Sequence, residues 1–131
     1  MTLGDVLSTK YILLLALGGS AGTIARYAVS EWFKLRDWVE HFPWHTFSIN
    51  VSGSFVLGLV AMTCQFYNRP GWLLLLGTGF CGGFTTFSTF SIEALALMEK
   101  GRPTAAAGYA LGSVAAGILG AWVGVKLAGG R

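Results

Sequence analysis

Two phenylalanines three residues apart, Phe87 and Phe90, stand among the hydroxyls of Thr85, Thr86, Ser88, Thr89 and Ser91, and Glu93 follows one turn on. Residues three and four apart share a helix face, so the rings form one stripe and Thr85, Ser88 and Thr89 a second beside it. A phenyl ring is electropositive at its edge. Rings set edge-on to a narrow path replace part of an anion's hydration shell without a fixed charge that would trap it, and hydroxyl and amide groups add hydrogen-bond donors. Asn50, Tyr109 and Ser113 are further donors of this kind, and Arg26 would raise the local anion concentration near one mouth. Ordinary core packing is the other reading of the two rings. Hydrolytic or redox chemistry has no constellation, because His41 and His45 lie in or beside a loop and Glu93 is the only carboxylate within an apolar stretch. Cys64 and Cys81 also sit in apolar stretches, as buried free thiols that make neither a disulfide framework nor a zinc site.

Just before the hydroxyl run lies a glycine cluster, Gly79 to Gly83, and Thr85 and Thr86 are residues suited to cap a new helix. The pattern predicts a break in the helix near Gly82, eleven residues past Gly71 and so roughly 16 Å of rise along it. Irregular backbone at that depth of a bilayer is tolerated only where it is buried in protein or lines a site. The freed carbonyls, with a second set from an antiparallel partner, would form an oxygen cage for a hard, weakly charged cation such as Na⁺. A glycine kink that packs one helix on its neighbour is the alternative.

These groups must be carried by elements that the charges delimit. Only 11% of the 131 residues are Asp, Glu, Lys or Arg, while 53% are hydrophobic and 19 are glycine. Soluble domains carry about a quarter charged residues, and this composition suits helices packed against one another in lipid. The formal charge of +3 is scattered with no basic run, which leaves nucleic-acid binding without support. Charge-free stretches place four spans at Tyr11 to Ser30, Thr46 to Tyr67, Gly71 to Met98 and Thr104 to Val125, each reaching the roughly 20 residues a helix needs to cross a bilayer, with the third running long. A secretory leader is the rival reading of the first span, with Lys10 preceding a short apolar run. Three further spans with similar small-residue spacing favour a packing partner instead. The expected fold is an all-α membrane protein of four transmembrane helices, residues 1–131 forming one domain with the third helix broken near the midplane.

Arg26, Asn50, Tyr109, Ser113 and the hydroxyl run all fall in one leaflet when the spans are laid across a bilayer, and the other leaflet is nearly devoid of hydrogen-bonding side chains. One chain thus supplies half of a polar path. A second copy inserted upside down would cover the other half, giving an antiparallel homodimer with two paths. The charge tally permits it: Lys10, Arg69, Lys126 and Arg131 on one side balance Lys34, Arg36, Lys100 and Arg102 on the other, so neither orientation is favoured. Gly18 and Gly22, Gly108 and Gly112, and Gly120 and Gly124 are spaced four apart for close helix pairing, within the chain or between copies.

Gly18-Gly19-Ser20-Ala21-Gly22 with Arg26-Tyr27, Thr46 with Asn50, Gly53, Ser54, Phe55 and Gly58, and Gly79 to Gly83 with Thr85-Thr86-Phe87-Ser88-Thr89-Phe90 resemble the signatures of the Fluc (CrcB) fluoride channels. The resemblance covers all four spans. It implies a multi-pass homodimer of inverted subunits in the bacterial inner membrane, with two pores that pass F⁻ down its gradient and keep cytoplasmic fluoride low. It further implies that Phe87 and Phe90 are the pore phenylalanines and Asn50 the pore asparagine. Thr86, Ser88 and Thr89 would be the hydroxyl lining, Tyr109 and Ser113 the polar residues of the fourth helix, and Arg26 the arginine near the vestibule. Gly82 and Thr85 would offer backbone carbonyls to a structural Na⁺ at the dimer centre. Glu93 is open between a partner for a hydroxyl and a charge on the path. The alternatives are a proton-coupled small multidrug exporter, whose first-helix carboxylate has Arg26 in its place here, and an accessory subunit without transport of its own.

Overall fold

The computed structural model describes residue 4 and residues 7–129; Arg131, counted in the charge tally, lies outside the described residues. The long elements are α1 (Thr9–Lys34), α2 (Trp44–Phe66), α4 (Phe87–Glu99) and α5 (Pro103–Leu127). Between α2 and α4 runs α3, residues 70–84, which passes from an α-helical Pro70–Trp72 through a π-helical Leu73–Cys81 to an α-helical Gly82–Phe84. Four helical stretches are long and apolar enough to cross a membrane, with α3 and α4 together forming the third, Pro70–Glu99. They extend a few residues beyond most ends expected from hydropathy, since Lys10, Lys34 and Glu99 sit in their terminal turns, where long charged side chains reach water from an apolar stem.

The connections follow backbone chemistry. Asp37 and Asn68 take left-handed conformations, at φ 57° and 49°, a region that short polar side chains tolerate. Gly101 does the same at φ 70°, and Pro70 and Pro103 open the helices that follow, where the missing N–H costs nothing. Arg102 donates through Nη1 to the His41 carbonyl at 2.7 Å, tying the first and third connecting segments together at one end of the bundle. Trp32, Trp38 and Trp44 are exposed at that end, Trp72 and Trp122 at the other, the distribution of aromatic belts at two membrane–water interfaces.

Helix α1 lies along α3, and α2 along α5. Both seams are built on glycine. A Cβ on Gly18 or Gly22 would strike the carbonyl oxygens of Leu75 and Phe80, and one on Gly83 the carbonyl of Gly19. Across the second seam, a Cβ on Gly58 would strike the Ala121 carbonyl and one on Gly124 the Phe55 carbonyl. Backbones approach this closely only where side chains are absent. Gly108 and Gly112 differ, because a Cβ there would meet nothing within 4 Å.

The third span is broken, but not at Gly82. The backbone stays helical through Gly82–Phe84 and becomes extended at Thr85 (ψ 160°) and Thr86 (φ −153°, ψ 118°). The glycines serve close approach rather than the turn: Gly79 lies against Gly18, and Gly83 against Gly19. β-Branched threonines favour the extended backbone, and side chains satisfy it. Thr85 donates its hydroxyl to the Cys81 carbonyl at 2.8 Å, and Thr86 caps α4 by accepting from the Thr89 N–H at 3.2 Å. With residues 70–84 before it and the 13-residue α4 after it, the break falls near the middle of the span.

Candidate functional site

Asn50, one turn and a half into α2, faces the break. Its Nδ2 donates to the Thr86 carbonyl at 3.0 Å and its Oδ1 accepts from the Thr86 N–H at 2.8 Å. One amide therefore satisfies both peptide groups of the residue that leaves the helix ladder, replacing what a neighbouring strand would supply. The clamp sets the direction in which α4 starts and hence where Phe87 and Phe90 point.

A cavity of about 270 Å³ opens beside the clamp, lined by Asn50, Gly53, Ser54, Leu57, Thr85, Thr86, Phe87, Phe90, Ser113 and Val114. Five of the expected pore residues meet there: Asn50, Thr86, Phe87, Phe90 and Ser113. The two rings lie 5.6 Å apart with planes tilted by 42°. Phe87 is 79% exposed, so in a single chain much of its ring is uncovered. The Ser113 hydroxyl is buried and has no hydrogen-bond partner among the described residues. A buried donor without a partner is uncommon, and here it borders the cavity.

Thr86 also borders a second cavity, about 300 Å³, lined by Thr23, Arg26, Tyr27, Ser30, Glu31, Lys34, His45, Thr86 and Thr89. Arg26 and Thr89 are thus placed on the far side of Thr86 from the phenylalanines, and the hydroxyls form a chain between: Thr86 donates to Thr89 Oγ1 at 3.0 Å, with Ser88 Oγ 3.4 Å from the same Thr86 oxygen. Apolar walls with donors at intervals and a guanidinium in the adjoining cavity can receive a small anion and pass it along without a deep trap.

Tyr109 stands behind this surface. It is fully buried, its ring packs under Phe90 at 4.9 Å between centroids, and its hydroxyl donates to Glu93 Oε2 at 2.7 Å. Glu93 collects two more partners, Thr46 Oγ1 at 2.8 Å and His45 Nε2 at 3.0 Å, both on Oε1. Glu93 thus serves as a partner for the Thr46 and Tyr109 hydroxyls. His45, expected in or beside a loop, lies just past the connecting segment as the second residue of α2. Both His45 and the role of Thr46 escaped sequence reasoning. The available signal was that Glu93, alone among apolar residues, needed donors, and that Thr46 precedes Asn50 by one turn on the same face.

For a cation, no group of three or more His, Cys, Asp or Glu side chains among the described residues is placed to hold a metal. Backbone oxygens at the break are the available donors. The Thr85 carbonyl takes no hydrogen bond from any described residue, and Gly82 has open space on its Cβ side. Hard oxygen donors of this kind fit a monovalent cation.

Residues 13–125 match the family described as CrcB-like protein, Camphor Resistance (CrcB). The chain belongs to this family. Among curated CrcB-like relatives, the Fluoride-specific ion channel FluC 2 of Bacillus cereus is 45% identical over 117 residues, covering 89% of this chain and 96% of the relative. The Fluoride-specific ion channel FluC of Gloeobacter violaceus is 44% identical over 113 residues, covering 86% and 90%. That of Leptospira interrogans is 43% identical over 119 residues, covering 89% and 93%. With its four apolar crossings, this CrcB-like chain is a multi-pass membrane protein. Its break, clamp and donor-lined cavity all lie within the matched residues.

Proposed function

We propose that the chain is a fluoride-selective channel of the bacterial inner membrane, passing F⁻ passively down its electrochemical gradient and so lowering cytoplasmic fluoride. The observation that carries this is the cavity beside the break, where two phenyl rings and the partnerless Ser113 hydroxyl line a space without a fixed charge. Fluoride is small, strongly hydrated and a strong hydrogen-bond acceptor, so it needs donors and ring edges in place of water rather than a cation that would hold it. Arg26, in the adjoining cavity, attracts anions toward Thr86. The names of relatives more than 40% identical over most of the chain point to the same ion. Transport by a proton-coupled exporter of cationic drugs has little to work with, since Glu93 is already held by three donors and α1 carries Arg26.

The working unit in this proposal is a homodimer of inverted subunits, embedded in lipid, with two pores. Much of the Phe87 ring is uncovered in one chain, and Gly108 and Gly112 leave close-approach surface that no described residue fills. Gly82 and Thr85 of each copy would present carbonyls to a structural Na⁺ between them, whose contribution would be to neutralise those dipoles where the helices break.

The test is fluoride efflux from vesicles containing the purified protein, followed with a fluoride electrode. Rapid electrogenic efflux without a proton gradient supports the channel, and vesicles that retain fluoride refute it. A terminal tag accessible from both faces of the membrane supports inverted subunits, and access from one face alone refutes them.

A further inference from the structure

His45 joins the cavity that holds Arg26 to the Glu93 cluster, and nothing in the proposed conduction path uses it. Its side chain is 12% exposed and Glu93's 19%, with Nε2 3.0 Å from Oε1. The other ring nitrogen, Nδ1, is buried and has no hydrogen-bond partner among the described residues. The same side chain lines both the Arg26 cavity and a second one, about 210 Å³, beside Glu93, Lys100 and Arg102. It is therefore the wall between them.

Resting on the channel reading above, we propose that His45 is a positioning residue that acts through Glu93, its proton setting the electrostatic barrier to anions at the Arg26 mouth. With a neutral imidazole donating through Nε2, the pair carries the carboxylate's single negative charge, and Nδ1 offers only a lone pair. With the imidazolium, the pair is neutral and Nδ1–H becomes a buried donor with no acceptor among the described residues, a group that an anion satisfies. Imidazole is the side chain whose ordinary charge change falls between about pH 5 and about pH 8. The proton moves between bulk water and the ring, so no other reactant is needed.

Charged and titratable groups face His45 from every neighbouring element. From α1, Arg26, Glu31 and Lys34 share the mouth cavity with His45, Glu31 and Lys34 being paired at 2.8 Å, and Tyr27 lies beside them. The segment before α2 contributes Glu40 and His41, and the turn after α4 contributes Lys100 and Arg102. From α5, the Tyr109 hydroxyl is engaged with Glu93. His41 is the one other group of the same chemistry, and its backbone carbonyl is held by Arg102, which makes it the control.

The experiment measures fluoride efflux from proteoliposomes at about pH 6 and about pH 8, equal on both sides, with the leak of protein-free vesicles subtracted. A unit charge about 8 Å from an anion's path changes its local population by about twofold even at the dielectric of water. The native protein should carry fluoride at least about twofold faster at the acid pH. His45→Gln, which keeps a donor for Glu93 but cannot titrate, should bring the acid-to-alkaline ratio to one. His45→Lys, which keeps the charge, should also be flat over this range, at a rate above that of His45→Gln. His41→Gln should retain the native ratio. A native protein that conducts with a flat pH profile overturns this proposal and leaves the channel standing, as does a native-like ratio in His45→Gln or His45→Lys. Loss of the ratio in His41→Gln assigns the step to the wrong histidine and overturns it as well. Absence of fluoride flux at either pH overturns the channel reading and this proposal with it.

Discussion

Replacing Asn50 by leucine strips Thr86 of both the bonds that hold its peptide groups, at 2.8 and 3.0 Å. Neither group can return to a helix ladder while Thr85 and Thr86 stay extended. An unpaired buried peptide group costs about 1–3 kcal/mol, which gives about 2–6 kcal/mol for the pair. Interhelical hydrogen bonds measured inside membrane bundles average only about 0.6 kcal/mol each, which sets a floor of about 1 kcal/mol. Ser54→Ala is the matched control, because the Ser54 hydroxyl bonds only the Asn50 carbonyl one turn back on its own helix, at 2.7 Å. Such local back-bonding contributes little to helix stability, and its loss should change stability by no more than about 0.5 kcal/mol. Reversible unfolding in mixed micelles, titrated with a denaturing detergent, reads the difference, and fluoride efflux reads its consequence for α4 and its rings. Asn50→Leu should lose at least about 1 kcal/mol and most of its flux. A variant as stable as Ser54→Ala, or one that conducts at the native rate, would refute the idea that Asn50 organises the break.

Other substitutions probe the remaining parts. Gly22→Val places a side chain where even a Cβ strikes the Phe80 carbonyl and lies 2.9 Å from the Phe84 nitrogen, so unfolding in micelles should show a loss of about 1–3 kcal/mol or more. Gly112→Ala, with nothing within 4 Å, should leave the isolated fold unchanged, and weaker dimers on crosslinking would mark its face as the seam between copies. Phe87→Ile and Phe90→Ile should each cut fluoride efflux sharply while dimers persist, and full-rate efflux in both would remove the rings from the path. Exchanging Na⁺ for a large organic cation throughout purification should impair efflux, whereas indifference would count against a cation held by Gly82 and Thr85.

Much of this architecture is written in charge and glycine. Charged residues bound the four spans because an unpaired charge in hydrocarbon is costly, and at several ends the helices overrun the expected bounds to take in a Lys or Glu that reaches for water. The glycine pairs signalled close packing, but spacing cannot say which helix lies opposite. Only the structure places Gly18 and Gly22 on α3, Gly124 on α2, and Gly108 and Gly112 on open space. The break was expected three residues early, since glycine offers freedom without requiring it, and the close approach to α1 keeps Gly82–Phe84 helical. The cavity brings together Asn50, Thr86, Phe87, Phe90 and Ser113, whereas Tyr109 is drawn behind Phe90 by a carboxylate that needed its hydroxyl. Thr46 lies 47 residues from Glu93 along the chain and Tyr109 16. Periodicity within one helix carries no record of such pairings, and for that reason the His45–Glu93 contact was not foreseen.

The central claim is a conducting path selective for fluoride, and the most direct measurement is the reversal potential of the purified protein in a planar bilayer. A tenfold fluoride gradient is set against opposing chloride, at equal pH on both sides. The potential should move to the fluoride equilibrium value, about 59 mV for a singly charged ion. A potential that follows chloride or the counter-cation, or a bilayer that never conducts, would contradict it.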